Sequence, residues 1–511
     1  MDRKKALLNI ITAMFFKIII LILTLLSRRF LVNYLGNEAN GLYSLFVSII
    51  GFLAVADLGV GTAITFSMYK PIVENDTKKI SALYYLYKKV YLIIAGIISV
   101  IGILVLPFIS VLAKGNTGTY NIHFGYLLFL FSTILTYLYA YKTSFINAYK
   151  NNYITTTIRS IGQIIEAIVQ IFTLIYFKSF ELFFLSMVLS NIIQWLVTNI
   201  VFNKKYRSNI IDYKIIDDDL KYEVVSKTKA MFSHKIGSLL VNTLNGVIIS
   251  AFIGVIVLGK YTNYLTILTG VSGLLSLGFV AITSILGHSY AKNSKEVFHS
   301  QFIKIYIINF MIGVLFYLGF LAIVDDLISI IFSTDVIMER EIVVILAVNY
   351  FIQFLRQTTL VFKDASGTFY HDRHKPIIEG IVNIILSLIL VNIIGISGIL
   401  IATIATNLLI CHTIEPYVLF KYGFEKKPQR YFVLNYVLIT SFVLSVYFYE
   451  NINIPIYTNL YKNTLVHGFV SVGVSLVLIL MDYLLIKPFR TQLNSLFVQG
   501  KKSVLSIIKR K

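Results

Sequence analysis

Apolar runs of similar length, separated by short polar stretches, recur along the whole chain. Fourteen of them lie near 7–26, 42–66, 90–113, 122–144, 160–177, 182–202, 236–257, 262–286, 302–324, 342–362, 377–394, 397–420, 431–449 and 464–486. At 1.5 Å per helical residue, roughly 18–25 apolar residues cross a hydrocarbon core of about 30 Å, whereas a membrane β-barrel would show short segments of alternating polarity. The pattern predicts an all-α membrane protein of about fourteen transmembrane helices.

The runs also carry an internal repeat. Leu35-Gly36-Asn37-Glu38-Ala39-Asn40-Gly41-Leu42 returns 223 positions later as Leu258-Gly259-Lys260-Tyr261-Thr262-Asn263-Tyr264-Leu265, each copy between two apolar runs. At an offset of 220, Ile158, Arg159, Ile161 and Gln163 fall opposite Ile378, Glu379, Ile381 and Asn383, and Lys142 precedes the first group as Lys363 precedes the second. Both copies start from the same side, so two parallel, pseudo-symmetric six-helix lobes are predicted. The boundaries follow as lobe 1–202, linker 203–235, lobe 236–420, an extra helix pair 421–486 and a basic amphipathic tail 487–511.

Composition agrees, with 57% hydrophobic and 14% charged residues and a mean hydropathy of +0.79. The net charge of +20 would admit nucleic acid, but its placement favours a membrane surface. With the amino terminus in the cytoplasm, the inner segments hold 37 of the 45 Lys and Arg residues. That imbalance follows the positive-inside rule, predicts a cell-membrane protein with both termini cytoplasmic, and sets the basic excess against anionic inner-leaflet lipids. No cleavable signal peptide is expected, since the first apolar run is too long and no small-residue cleavage site follows it. The sole cysteine, Cys411, excludes an internal disulfide and reads as a packing residue. Asp217, Asp218 and Asp219 in the linker read as helix caps, and Leu493, Leu496, Phe497, Val504, Leu505 and Ile508 give the tail one apolar face.

Ionisable groups inside spanning helices cost a few kcal/mol or more unless they face protein or water, which makes them candidates for function. Lys17 falls near the middle of the first helix, with Arg28 and Arg29 toward its outer end. These cations suit a phosphate, although Arg28 and Arg29 also fit interfacial anchoring. Arg159, Gln163, Glu166 and Gln170 share one stripe of the fifth helix, and Glu379, Asn383 and Ser387 share one of the eleventh. Asn349, Gln353, Arg356 and Lys363 form a third stripe, and His234, Ser238, Asn242 and Asn245 a fourth. Hydrogen bonding between helices accounts for most of the amides and hydroxyls, while four stripes together predict a hydrated interior. Asp57, Glu166 and Glu379 are the candidates for coupling to H+ or Na+ or for gating, with a packing salt bridge as the plain role of Asp57. Glu415 and Asp482 read as interfacial. The 34 Tyr and 38 Phe residues read chiefly as packing and interface residues.

The chain has no G-x-x-x-x-G-K-[ST] loop, H-E-x-x-H or G-x-S-x-G, and no cofactor or metal is expected. The outer segment around Asp325, Asp326, Asp335, Glu339 and Glu341 is short for the catalytic loop of a polymerase or transferase, so an enzyme is not expected.

Several motifs in order carry a family resemblance. Ser27-Arg28-Arg29-Phe30, Leu35-Gly36 through Gly41-Leu42, Asp57-Leu58-Gly59 and Tyr69-Lys70-Pro71 stand in the first lobe. Lys363 through Gly367, Asp372, Pro376 through Glu379, Asn383, Ser387, Gly395 through Gly398 and Glu415-Pro416-Tyr417 stand in the second. Nearly the whole chain resembles bacterial O-antigen, capsule and exopolysaccharide repeat-unit flippases. Their superfamily, the multidrug/oligosaccharidyl-lipid/polysaccharide (MOP) exporters, also holds multidrug and toxin extruders and lipid II flippases. With the lipid II flippases the chain shares only the Ser-Arg element and the extra terminal helices. The resemblance implies a V-shaped pair of lobes, alternating access and export of undecaprenyl-diphosphate-linked oligosaccharide, alongside glycosyltransferases and a polymerase. Under it, Lys17, Arg28, Arg29, Arg159, Gln163, Asn242, Gln353, Arg356 and Asn383 are the expected substrate contacts. An ion-coupled drug extruder of the same fold is the competing expectation, and a membrane polymerase or transferase a further one.

Overall fold

The computed structural model describes residues 3–57, 60–213, 215, 243–292 and 294–495. Most of the 203–235 linker, with Asp217 to Asp219, lies outside the described residues, as do His234, Ser238, Asn242, Leu58-Gly59 and the tail beyond 495.

The helices are α1 (Arg3–Leu53), α2 (Val60–Val73), α3 (Thr77–Val105), α4 (Ile122–Ala148), α5 (Asn152–Tyr176), α6 (Phe180–Lys205), α7 (Thr243–Ile253), α8 (Val255–Lys292), α9 (Lys295–Ile331), α10 (Arg340–Ser366), α11 (Lys375–Thr406), α12 (Gln429–Glu450) and α13 (Leu460–Leu485). Beyond α11 the helical path continues through wider turns to Phe424. No strand occurs among the described residues, and nine helices there are long and apolar enough to cross a membrane. The chain is an all-helical, multi-pass membrane protein.

Two adjacent spans expected from hydropathy are joined more tightly than the apolar runs suggest. Instead of a loop over 27–41, α1 continues through it and bends at Gly36, whose φ of 77° suits a residue without Cβ. The same happens at Ile394–Gly395 inside α11. Hydropathy measures where lipid ends, whereas the helix ends only where its backbone hydrogen bonds stop. Other ends are capped as sequence chemistry dictates: Asp76, Asn121, Ser179 and Asn459 each accept a first-turn N–H.

Compactness divides the chain into a first unit, Met1–Asn263 with Pro376–Ile384, and a second, Tyr264–Lys375 with Ile385–Lys511. Aromatic rings fill both cores. Tyr43, Phe46, Phe129 and Phe184 interlock in the first, and Phe298, Phe302, Phe362, Phe424 and Tyr431 in the second. These tilted and edge-to-face pairs stabilise by about 0.5–1.5 kcal/mol each beyond their burial.

Candidate functional site

In the first unit, α4, α5 and α6 enclose a cavity of about 630 Å³, within the range of ligand pockets. The α5 stripe faces it as its period requires: Arg159, Gln163 and Glu166 line the wall, and Gln170, one turn on, is buried behind it. Ser27 Oγ of α1 donates to Gln170 Oε1 at 2.7 Å, and Gln170 Nε2 donates to Glu166 Oε1 at 3.4 Å. A polar chain thus joins α1 to a cavity carboxyl group.

The opposite wall was not anticipated. Tyr139 Oη donates toward Asn191 and Gln194, each at 3.3 Å, and Asn191 Nδ2 donates to Ser132 Oγ at 2.9 Å. Gln194 Nε2 donates to Ser190 Oγ at 3.1 Å, and that hydroxyl donates to the Gly162 carbonyl at 2.9 Å. Gly162 makes the crossing feasible, since a Cβ there would sit 2.5 Å from the Gln194 side chain. The signal was present in Ser190, Gln194 and Thr198, spaced four apart on one face of an apolar helix. Asp57, at the end of a short 3-10 turn after α1, also lines the cavity. The walls therefore offer two carboxyl groups, one guanidinium, several amides and hydroxyls, and the rings of Tyr43, Tyr137 and Tyr139.

The α1 cations occupy different settings. Arg28 donates to Asn40 and, at 3.5 Å, to Ser44, and its guanidinium lies 4.2 Å from the centre of the Tyr43 ring, itself a wall of the cavity. Arg29 is exposed and Lys17 partly buried. Asn40 also joins the repeat copies: its Nδ2 donates to Asn263 Oδ1 at 2.8 Å and to the Gly259 carbonyl at 3.0 Å, while Asn37 donates to the Ile256 carbonyl at 2.7 Å. Asn40 and Asn263 are equivalent positions of the repeated motif, so the two copies of the motif meet directly through one hydrogen bond.

In the second unit, the α10 stripe turns inward. Arg356 donates through Nε and Nη2 to Glu415 at 2.8 and 2.7 Å, and Lys375 Nζ reaches the same carboxylate at 2.7 Å. Lys363 pairs with Asp372, and Gln353 donates to Asn349 at 3.1 Å. Glu415 and Asp482 are 2% and 4% exposed, so both carboxyl groups are packed within protein. Glu379 and Asn383, assigned with the first unit, are buried, and neither they nor Gln353 and Arg356 line its cavity. Asn242 lies outside the described residues. Of the expected substrate and coupling residues, the cavity brings together Arg159, Gln163, Glu166 and Asp57. Among the described residues, no three His, Cys, Asp or Glu side chains are placed to hold a metal.

No protein-family model and no curated protein matches the chain. Solved structures do. The lipid II flippase MurJ in an inward closed conformation aligns with a TM-score of 0.64 at 14% identity, over 93% of this chain and 99% of that one. An inward-facing multidrug-resistance MATE transporter of the MOP superfamily aligns at 0.60 and 15% identity, over 85% and 98%. A MOP-superfamily transporter from Pyrococcus furiosus Vc1, described as having a binding pocket of reverse polarity that suggests a different function, aligns at 0.51 and 13%, over 86% and 96%. The chain has the MOP-transporter fold, as the sequence resemblance implied.

Proposed function

We propose that the protein is a flippase that moves an undecaprenyl-diphosphate-linked oligosaccharide from the cytoplasmic to the outer leaflet of the cell membrane by alternating access, for surface polysaccharide assembly. The observation that carries this reading is the cavity of the first unit, whose amides, hydroxyls and tyrosine rings suit a glycan. Sugar hydroxyls would meet Gln163, Asn191 and Gln194, and ring faces would meet Tyr137 or Tyr139. The diphosphate would be met by the α1 cations, Arg28 beside the cavity wall at Tyr43 and Lys17 and Arg29 elsewhere on the same helix, with the prenyl chain left in lipid. Arg356 is excluded from direct contact in this reading, since Glu415 already takes its guanidinium. Asp57, Glu166 and Glu379 are the groups through which H+ or Na+ would couple to movement. The transported molecule leaves chemically unchanged, and glycosyltransferases before it and a polymerase after it are the implied partners.

A photoreactive undecaprenyl-diphosphate trisaccharide tests the site. Label on peptides of α5 and α1 that contain Gln163 and Arg28 is expected, and label confined to other helices contradicts the assignment. One observation favours a second reading, an ion-coupled extruder of cationic compounds: the cavity presents Asp57 and Glu166 against Arg159 alone. Protein-dependent movement of ethidium, without movement of the lipid probe, would select it.

A further inference from the structure

The helix pair α12 and α13 falls outside the internal repeat, and the proposed cavity makes no use of it. In the second unit its ends join those of α9 and α10 around another cavity, of about 400 Å³. Asp325 and Asp326 come from the end of α9, Arg340 from the start of α10, Glu450 from the end of α12, and Asn463 and His467 from the first turns of α13. The opposite ends of these helices carry Lys295, Arg430 and Lys487, so by the positive-inside rule this cavity faces outward.

The polar groups are held in place. Arg340 donates to both Glu450 oxygens at 3.0 and 2.7 Å and to Asp325 at 2.8 Å. Asp326 accepts from Asn463 at 3.1 and 2.9 Å and from Thr464 at 3.1 Å. Asp326 Oδ2 is filled by Asn463 and Thr464, but Asp326 Oδ1 and the oxygens of Asp325 and Glu450 each keep a second lone pair, so acceptors remain available in fixed positions. His467 Nδ1 lies 3.2 Å from Tyr449 Oη, while its Nε2 is sealed from solvent without a hydrogen-bond partner. Ile452, Ile454 and Ile456 supply an apolar wall, and Ile456 is 86% exposed.

Three carboxylates against one guanidinium disfavour a phosphate or any other anion. A coordinated metal is disfavoured too, because no suitable set of three ligands occurs among the described residues. Fixed hydrogen-bond acceptors beside an aliphatic wall match a molecule with hydroxyls on its edge and C–H groups on its faces. We propose that this cavity is an outer-face binding site for a neutral or amino-bearing saccharide, distinct from the cavity between α4, α5 and α6. The choice of a saccharide rests on the export reading; the geometry and charge do not.

Titration calorimetry on the full chain in nanodiscs tests this, with free N-acetylglucosamine, glucose and glucosamine trisaccharides as probes, none bearing lipid or phosphate. Saturable binding of at least one is expected, weakened about tenfold in Asp326→Asn, the size of one charge-assisted hydrogen bond. Ile456→Ala, on an exposed wall position that leaves the core intact, is expected to weaken it severalfold. Absence of binding by all three, binding unchanged in both variants, or tighter binding of pyrophosphate displaced by the same substitutions overturns the site. The two readings fail separately: vesicles that flip the lipid probe while no trisaccharide binds remove only this site, and trisaccharide binding without flipping removes only the export reading.

Discussion

Arg356 meets Glu415 through two near-parallel contacts, and Lys375 adds a third donor to the same carboxylate, 2% exposed. Removing that carboxylate would leave two cations facing each other away from water. Glu415→Gln is therefore expected to cost about 3–5 kcal/mol, read as a lower unfolding midpoint of the purified protein, with part recovered in the double variant Glu415→Gln, Arg356→Gln. A midpoint unchanged by the single substitution would rule out the buried triad. The stripe containing Arg356 was legible from a period of 3.6 residues, but its partner was not. Glu415 is separated from it by 59 positions, and helical periodicity says which face a residue shares without saying what packs on that face. The cavity divides in the same way: Arg159, Gln163 and Glu166 share one helix and were read together, whereas Tyr139, Asn191 and Gln194 join them through tertiary packing.

At the scale of elements, two backbones approach closely where the repeat copies meet. A Cβ on Gly41 would stand 1.9 Å from the Val255 carbonyl oxygen, a backbone atom that no rotamer change can move. Gly41→Ala should therefore force α1 and α8 apart, lose the Asn40 to Asn263 hydrogen bond and lower stability by about 1–3 kcal/mol, measured by thermal unfolding. The repeat was legible because both copies keep the same spacing, while the bends were not. Gly36 bends the first copy, but its equivalent Gly259 does not appear among the positive-φ glycines, and that role falls to Gly254. A second element-level expectation concerns the start of α3. The Lys79 N–H donates to the Asp76 carboxylate at 3.0 Å and holds its pKa below the usual value. For a carboxyl group whose folded pKa is depressed, the stabilisation is present above the unfolded value of about 3.9 and is lost as pH falls through the lower folded value. Amide exchange at Lys79 should be faster in Asp76→Ala than in the wild type at neutral pH, and the two should converge once the wild-type carboxyl is protonated.

For the whole molecule, hydropathy and the repeat were enough to anticipate an all-helical, internally repeated membrane protein, because lipid imposes span length and polarity on every helix at once, while the MOP-type fold was implied only by the resemblance of the ordered motifs. The substrate was less legible, because it depends on which polar faces close on one another. The central claim is that the first-unit cavity carries the glycan of a lipid-linked diphosphate across the membrane. Its most direct test is the initial rate at which sealed vesicles containing the protein move a fluorescent undecaprenyl-diphosphate trisaccharide between leaflets. The account predicts a rate above that of protein-free vesicles, and a loss of about tenfold or more in Gln163→Ala and in Lys17→Ala at equal protein content, the cost of a lost contact to a charged or buried polar partner. A wild-type rate equal to that of empty vesicles, or full activity in both variants, would contradict it.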